Sequence, residues 1–188
     1  MNGRYPKVLG IDEGPFRKGQ KKPVPVVGVI MEGSRLIEGI VLGSFPVDGE
    51  GATDYLAGWI GAMRWHAALQ AVLLPGSTLA GLGIVDIRAL SKKLAVPVVA
   101  VTRQSTEGSD LPGALTTAGF PGRIRILERA PKPWRIREGV HAAAAGAGEE
   151  ETKSIVEATL LQAKVPEPIR VAHLIATALV RGASHGRV

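Results

Sequence analysis

The chain has 188 residues, 45 % of them hydrophobic, no cysteine, and a net charge of +6 at neutral pH. Without cysteine there are no disulfides, zinc thiolate sites or thiol nucleophiles. No apolar run reaches the roughly 18 residues of a bilayer-spanning helix. The first residues, Met1 to Lys7, contain no apolar h-region of an export signal, so a cytoplasmic protein is expected. The basic balance favours polyanionic partners, nucleic acid first, through counterion release.

The elements read in order as an α/β chain, and the length suits one domain over residues 1–188. Val8–Asp12 is an apolar strand that ends in two adjacent carboxylates, Asp12 and Glu13, before a Gly-Pro break. Strand alternation points the two acids to opposite faces, so one of them at most serves any given site. The basic loop Arg17–Lys22 follows, carrying Arg17, Lys18, Lys21 and Lys22. Val24–Met31 and Arg35–Phe45 read as a hairpin closed by Glu32-Gly33-Ser34.

Thr53 is placed as the cap of a helix over Asp54–Ala68, with Leu56, Ile60, Met63 and Ala67 at helical spacing. Ala71–Leu74 reads as a short buried strand. Pro75–Gly83 reads as a glycine-rich loop leading into a helix, Val85–Leu94. Val96–Val101 is fully apolar, which marks a central, parallel strand. Asp110–Ala118 reads as a short helix, Arg123–Leu127 as a strand with basic alternation, and Ile136–Ala144 as another strand. The small-residue run Ala142–Gly148 fits close packing. Glu149–Lys164 is a helix opened by three glutamates, and Pro166-Glu167-Pro168 starts the last helix, Ile169–Gly182.

Candidate ligands for a hard cation are oxygen donors at strand ends and helix starts: Asp12, Glu13, Asp48, Glu50, Asp54 and Asp86. Asp48 and Glu50 also fit solvated loop residues, and Asp54 and Asp86 fit acids that meet a helix dipole. His66 and His141 fit packing roles and His185 a tail. His173 differs, because it interrupts an apolar helix and must find a partner there. The loop Gly76–Gly83 lacks the lysine-hydroxyl pair of a P-loop. Aromatic residues are only 4 % of the chain, which argues against a base-stacking platform.

Three segments, LGIDEGPF (9–16), LLPGSTLAGLGIVDIRALSKKLAVPVVAVTR (73–103) and PEPIRVAHLIATALVRGASHGR (166–187), together resemble the endonuclease dU family, which is related to endonuclease V. The resemblance implies a ribonuclease-H-like fold: a mixed sheet, antiparallel meander first and parallel strands after, flanked by helices. It also implies a Mg²⁺- or Mn²⁺-dependent endonuclease that cuts DNA near deoxyuridine or deoxyinosine. Position by position, Asp12 matches the first-strand metal ligand and Asp54 the second acid, with Glu13 as a further possible ligand. Arg103 falls where endonuclease V carries a phosphate-facing lysine, and His173 matches a polar position beside the metal. Arg17, Lys18, Lys21 and Lys22 would add phosphate contacts. One position departs: the related aspartate-glycine pair at the end of the fourth strand is Pro75-Gly76 here, and proline offers no side-chain ligand.

Three functions follow as expectations. One is the metal-dependent nuclease on deaminated or damaged DNA. Another is a nucleic-acid-binding relative, on DNA or RNA, that has lost cleavage with the aspartate. The third is a small-molecule or scaffold protein on the same fold. No membrane partner is expected, and no oligomeric state is assigned.

Overall fold

The computed structural model describes residues 5–103 and 110–185. The chain opens with three strands, β1 (Lys7–Glu13), β2 (Val24–Glu32) and β3 (Leu36–Phe45). Helix α1 (Ala52–Gly61), a 3-10 turn at His66–Ala68 and strand β4 (Ala71–Leu74) follow. A small hairpin, β5 (Thr78–Leu79) and β6 (Gly83–Ile84), precedes α2 (Ile87–Leu94) and β7 (Val98–Thr102). Then come α3 (Leu111–Thr117), a 3-10 turn at Pro121–Arg123 and α4 (Ile124–Glu128). Strands β8 (Trp134–Arg137) and β9 (Val140–Ala145) and helices α5 (Glu149–Thr159) and α6 (Glu167–Arg181) complete the order.

Seven strands form one mixed sheet in the order β3-β2-β1-β4-β7-β9-β8. The β1–β2–β3 meander is antiparallel, and β4 runs parallel to both β1 and β7. The carboxyl ends of β1, β4 and β7 therefore open at one edge, where loops and not the sheet determine what is presented. Alternation along β1 assigns its faces: Leu9 and Ile11 pack with Leu56 and Ile60 of α1 and Leu90 and Leu94 of α2. Val8 packs instead with Ile155 and Val156 of α5 and Ile169 of α6. Each face of the central strands is covered by helices, as their near-continuous apolar runs require.

Several sequence expectations shift. Arg123–Leu127 is helical, not a strand. The turn puts Phe120 and Arg123 on one side, so the guanidinium stacks over the ring at 3.9 Å. Its Nη1 donates to the Asp48 and Leu82 carbonyls at 2.9 and 2.7 Å. The helix expected over Asp54–Ala68 starts at Ala52 and ends at Gly61, because the chain must return beside β1, where Gln70 N–H donates to the Lys7 carbonyl. Thr53 is not the cap: Gly51 in the left-handed region is, and Thr53 Oγ1 accepts from Asp86 N–H.

The run expected as one strand at Ile136–Ala144 is the hairpin β8–β9, turning at Gly139 with φ of 68°. Strand β7 is parallel to β4 but antiparallel to β9, which brings the small side chains of Ala142–Ala145 alongside Val98–Val101. Helix α5 stops at Thr159, short of Lys164, and the loop Pro75–Gly83 holds β5 and the start of β6. Among the described residues no helix is long and apolar enough to cross a membrane.

Helix α6 lies along β1 and β2 on the α5 face, with Ala172 and Ala176 packed on Val27, Val29 and Met31. The approach is closest at Gly10, where a Cβ would overlap the Pro168 and Ile169 backbone. Gly10→Ala should therefore cost about 1–3 kcal/mol, the usual range for overpacking a filled core. Chemical denaturation read by circular dichroism measures it. An unchanged midpoint would mean that α6 can move off the sheet freely.

Candidate functional site

The carboxyl edge of the parallel strands carries a cleft of about 1270 Å³. Asp12 from β1, Pro75 after β4, Thr102 at the end of β7 and Arg103 just beyond it line its sheet side. Arg170, His173, Thr177 and Arg181 of α6 and Lys164 of the preceding loop line the rest. Asp12 and His173 are far apart in the chain but meet here: His173 Nδ1 and Asp12 Oδ2 are 2.9 Å apart. The spacing follows from regular geometry. Two strand residues from Gly10 and four helix residues from Ile169 each advance about 6–7 Å, so both chains arrive at one point.

Asp12 Oδ1 also accepts the Glu13 N–H at 2.9 Å. Burial is the main influence on Asp12 and raises its pKa, while the Glu13 N–H and His173 pull against it. With Asp12 ionised and the His173 ring in its neutral form, Nδ1–H donates to Oδ2 and Nε2 is the free acceptor, on a ring that is 58 % exposed. Such a ring can accept a proton from, or return one to, a group in the cleft.

Glu13 does not join this cleft. It points to the opposite face, as alternation predicts, where the Ala80 backbone N–H favours its ionised form. Burial first, and the Asp12 charge second, push it up to about 7. Nearby, Asp48 serves as a clamp and not as a solvated loop residue: its Oδ1 accepts Leu82 N–H at 2.8 Å and its own N–H donates to the Ala80 carbonyl.

Asp54 is not brought to the cleft. It lies in the first turn of α1, is 74 % exposed, and its Oδ1 pairs with Lys93 Nζ at 3.0 Å. Asp86 caps α2 by accepting Ala89 N–H. Glu50 is 89 % exposed and 4.0 Å from Arg123. His66 Nε2 faces the Leu94 carbonyl at 3.0 Å, a packing role. His141 sits on β9 opposite Thr102, its Nδ1 buried without a partner. Arg103 lines the cleft, whereas Arg17, Lys18, Lys21 and Lys22 are exposed in the loop beyond β1 and outside its walls. His185, read as a tail residue, lines it as well.

Sequence reasoning missed Lys164, Arg170, Thr177 and Arg181. The signal for the last three was present as a polar stripe on α6, spaced like His173 at three and four residues along an otherwise apolar helix.

Among the described residues lining this cleft Asp12 is the one carboxylate, against four lysine or arginine side chains. Among the described residues no three His, Cys, Asp or Glu side chains converge as a metal site would need. Pro75, immediately after β4 and lining the cleft with Asp12, supplies no side-chain ligand. The donor set does not fit a hard-cation site built from several carboxylates.

The chain was compared with known proteins. A family model described as endonuclease dU matches residues 4–180. A UPF0215 protein of Pyrococcus horikoshii is 34 % identical over 182 residues, covering 95 % of this chain and 94 % of that protein. A UPF0215 protein of Methanothermobacter thermautotrophicus is 30 % identical over 184 residues, covering 96 % and 90 %. Among solved structures, a protein of unknown function from Archaeoglobus fulgidus superposes with a TM-score of 0.85 at 30 % identity, covering 94 % of this chain and 99 % of that one. Endonuclease V from Bacillus subtilis gives 0.58 at 11 % identity, covering 94 % and 81 %. Ciona intestinalis endonuclease V, in complex with a DNA containing an inosine followed by a ribo-adenosine, gives 0.54 at 13 %, covering 92 % and 84 %. These last two establish the fold, a ribonuclease-H-like mixed α/β sheet, as the resemblance implied.

Glu13 yields a pH prediction. Its folded-state pKa is raised from 4.5 to about 7, so its contribution to stability is complete below about pH 4.5 and lost as pH rises through about 7. At roughly 1.4 kcal/mol per pH unit the loss is about 3 kcal/mol. Glu13→Gln, which keeps the side chain's shape and removes its charge, should match wild type at pH 4 and exceed it at pH 8 by up to that amount. Denaturant melts at both pH values give the difference. Equal stabilities at pH 8 would refute the buried-acid account.

Proposed function

Because the chain belongs to the endonuclease dU family, we propose that it acts on DNA carrying deoxyuridine or deoxyinosine, holding one strand in the cationic cleft with a phosphodiester against Asp12–His173. The family and the endonuclease-V-like fold support a nuclease-related function. The observation that carries the reading is the hydrogen-bonded pair of a buried Asp12 carboxylate and an exposed His173 imidazole in a cleft whose other charged side chains, among the described residues, are cations. Phosphates would meet Arg103, Lys164, Arg170 and Arg181, and the loop cations Arg17, Lys18, Lys21 and Lys22 would lengthen the field toward flanking nucleotides. Asp12 would hold the His173 ring in one tautomer, and Nε2 would move a proton at the reacting oxygen.

The fold makes Mg²⁺ or Mn²⁺ dependence the expectation, whereas the one carboxylate among the described residues of the cleft does not supply the ligands. Pro75 accordingly favours a second reading: a relative that binds nucleic acid, DNA or RNA, without cutting it. Without a further acid, charge on the leaving oxygen would fall to the arginines alone.

End-labelled oligonucleotides containing deoxyuridine, deoxyinosine or neither, incubated in Mg²⁺, Mn²⁺ or chelator, separate the two. The first reading expects cutting near the lesion, reduced about 10²–10⁴-fold in both Asp12→Asn and His173→Ala, the range of a lost acid-base group. Undiminished cutting by either variant would remove the pair from the reaction. Binding with no cutting under any condition would establish the second reading. In that case a gain of Mn²⁺-dependent cutting in Pro75→Asp would identify the missing ligand.

A further inference from the structure

Helix α6 buries Ile169, Ala172 and Ala176, and beside that face runs a polar stripe: Arg170, His173, Thr177 and Arg181. All four line the cleft, at spacings of three, four and four residues. Their surroundings differ in a way that points to a bound chain of anions.

Arg170 is held at the start of the stripe. Its Nε and Nη2 donate to Glu167 Oε1 and Oε2 at 2.8 and 2.7 Å, and Glu167 is only 6 % exposed. A guanidinium has five N–H donors, so this fork leaves three on the outer edge, in fixed orientation. His173 is held next, by Asp12. Thr177 has no such partner. It is 8 % exposed, yet its hydroxyl makes no hydrogen bond. Thr159 in α5 shows the ordinary alternative, donating back to the Ile155 and Val156 carbonyls at 3.1 and 2.8 Å. The Ser184 hydroxyl, just beyond the end of α6 and also on the cleft, is likewise unpartnered. Two unspent hydroxyls therefore flank Arg181. Threonine in a helix has two accessible χ1 wells, so one rotation presents the hydroxyl without moving backbone.

We propose that this stripe is a phosphate rail. The Glu167-held Arg170 fixes a phosphodiester on one side of the Asp12–His173 pair. Thr177, Ser184 and Arg181 fix another on the opposite side, and the strand runs along the α6 axis. This rests on the reading that the cleft takes a nucleic-acid strand, and it assigns the strand's path and its two flanking subsites. At 1.5 Å per residue, Arg170 and Arg181 are separated by about 16 Å along the helix, close to five steps of one B-form strand at about 3.4 Å each. The two ends differ in kind. The Arg170 end offers a rigid fork. The Arg181 end offers a flexible charge with hydroxyls.

The test is salt-dependent binding, which needs no catalysis. Fluorescence anisotropy of a labelled oligonucleotide of about twelve nucleotides, single-stranded or duplex, is titrated over a range of NaCl and log K plotted against log salt. Each phosphate contact contributes a slope of about 0.7 for single strands or about 0.9 for duplex. Arg170→Gln and Arg181→Gln should each make the slope shallower by that amount, and an exposed residue outside the cleft, in Arg64→Gln, should leave it unchanged. Arg170→Lys keeps the charge but loses the fork, so its slope should hold while affinity falls about tenfold. Thr177→Val should weaken binding about threefold to tenfold with no change of slope, the range for one hydrogen bond, and Thr177→Ser should restore it. Wild-type binding whose slope is untouched by Arg170→Gln and Arg181→Gln, or reduced equally by Arg64→Gln, would overturn the rail and leave the nucleic-acid reading standing. Absence of wild-type binding at low salt would instead remove the reading beneath it.

Discussion

The close contact between β1 and α6 at Gly10 is the constraint on which the site depends. Glycine here removes the side chain that would hold the helix off the strand, and the Pro168–Ile169 backbone occupies that volume. From this point strand and helix run forward side by side: Asp12 meets His173, and Gly14 then approaches Ala176 and Val180. The Asp–His hydrogen bond is thus a consequence of packing between two regular elements. It borrows its rigidity from the core, since Ala172 and Ala176 pack on β2 on the same face.

Two adjacent acids acquire different environments from the pleat alone. Asp12 turns toward α6 and the cleft, while Glu13 turns toward the α1–α2 layer and the Ala80 backbone. Both are raised by burial, but Glu13 carries the repulsion of Asp12 as well and settles near 7. On its side, Asp48 and Arg123 tie together the loops around Leu82, with the guanidinium bonded to two carbonyls and stacked on Phe120. That network steadies the loops beneath Glu13 and leaves the cleft to Asp12.

Charge and ligand count pull the cleft in different directions. Arg103, Lys164, Arg170 and Arg181 give it a positive lining, and one carboxylate among the described residues leaves it poor in ligands for a hard cation. Pro75 lies where the parallel neighbour of β1 ends, the position at which a side-chain oxygen would stand closest to Asp12 along the sheet. The described side chains of the cleft thus favour an anionic occupant over a cation held by several carboxylates.

Asp12 at the end of an apolar strand and His173 on the last helix were legible in the residues, because a polar group that ends or interrupts an apolar run has few structural alternatives. So was the order of a meander followed by alternating helices and strands. Arg123–Leu127 was misread, because alternating arginine and isoleucine fits a strand as well as a helical turn. Only its contact with the Asp48 and Leu82 carbonyls decides between them. Asp54 looked like a ligand because acids at helix starts serve both roles, and its ion pair with Lys93 on an exposed face is a tertiary fact. Local pattern by itself determined the three strands of the meander and the apolar strands β4 and β7, which acid ends β1, and the positive charge. Which side chains stand around Asp12 was decided by tertiary structure alone, because the separation of 161 positions from Asp12 to His173 is closed by the packing of α6 on Gly10 and by no local rule.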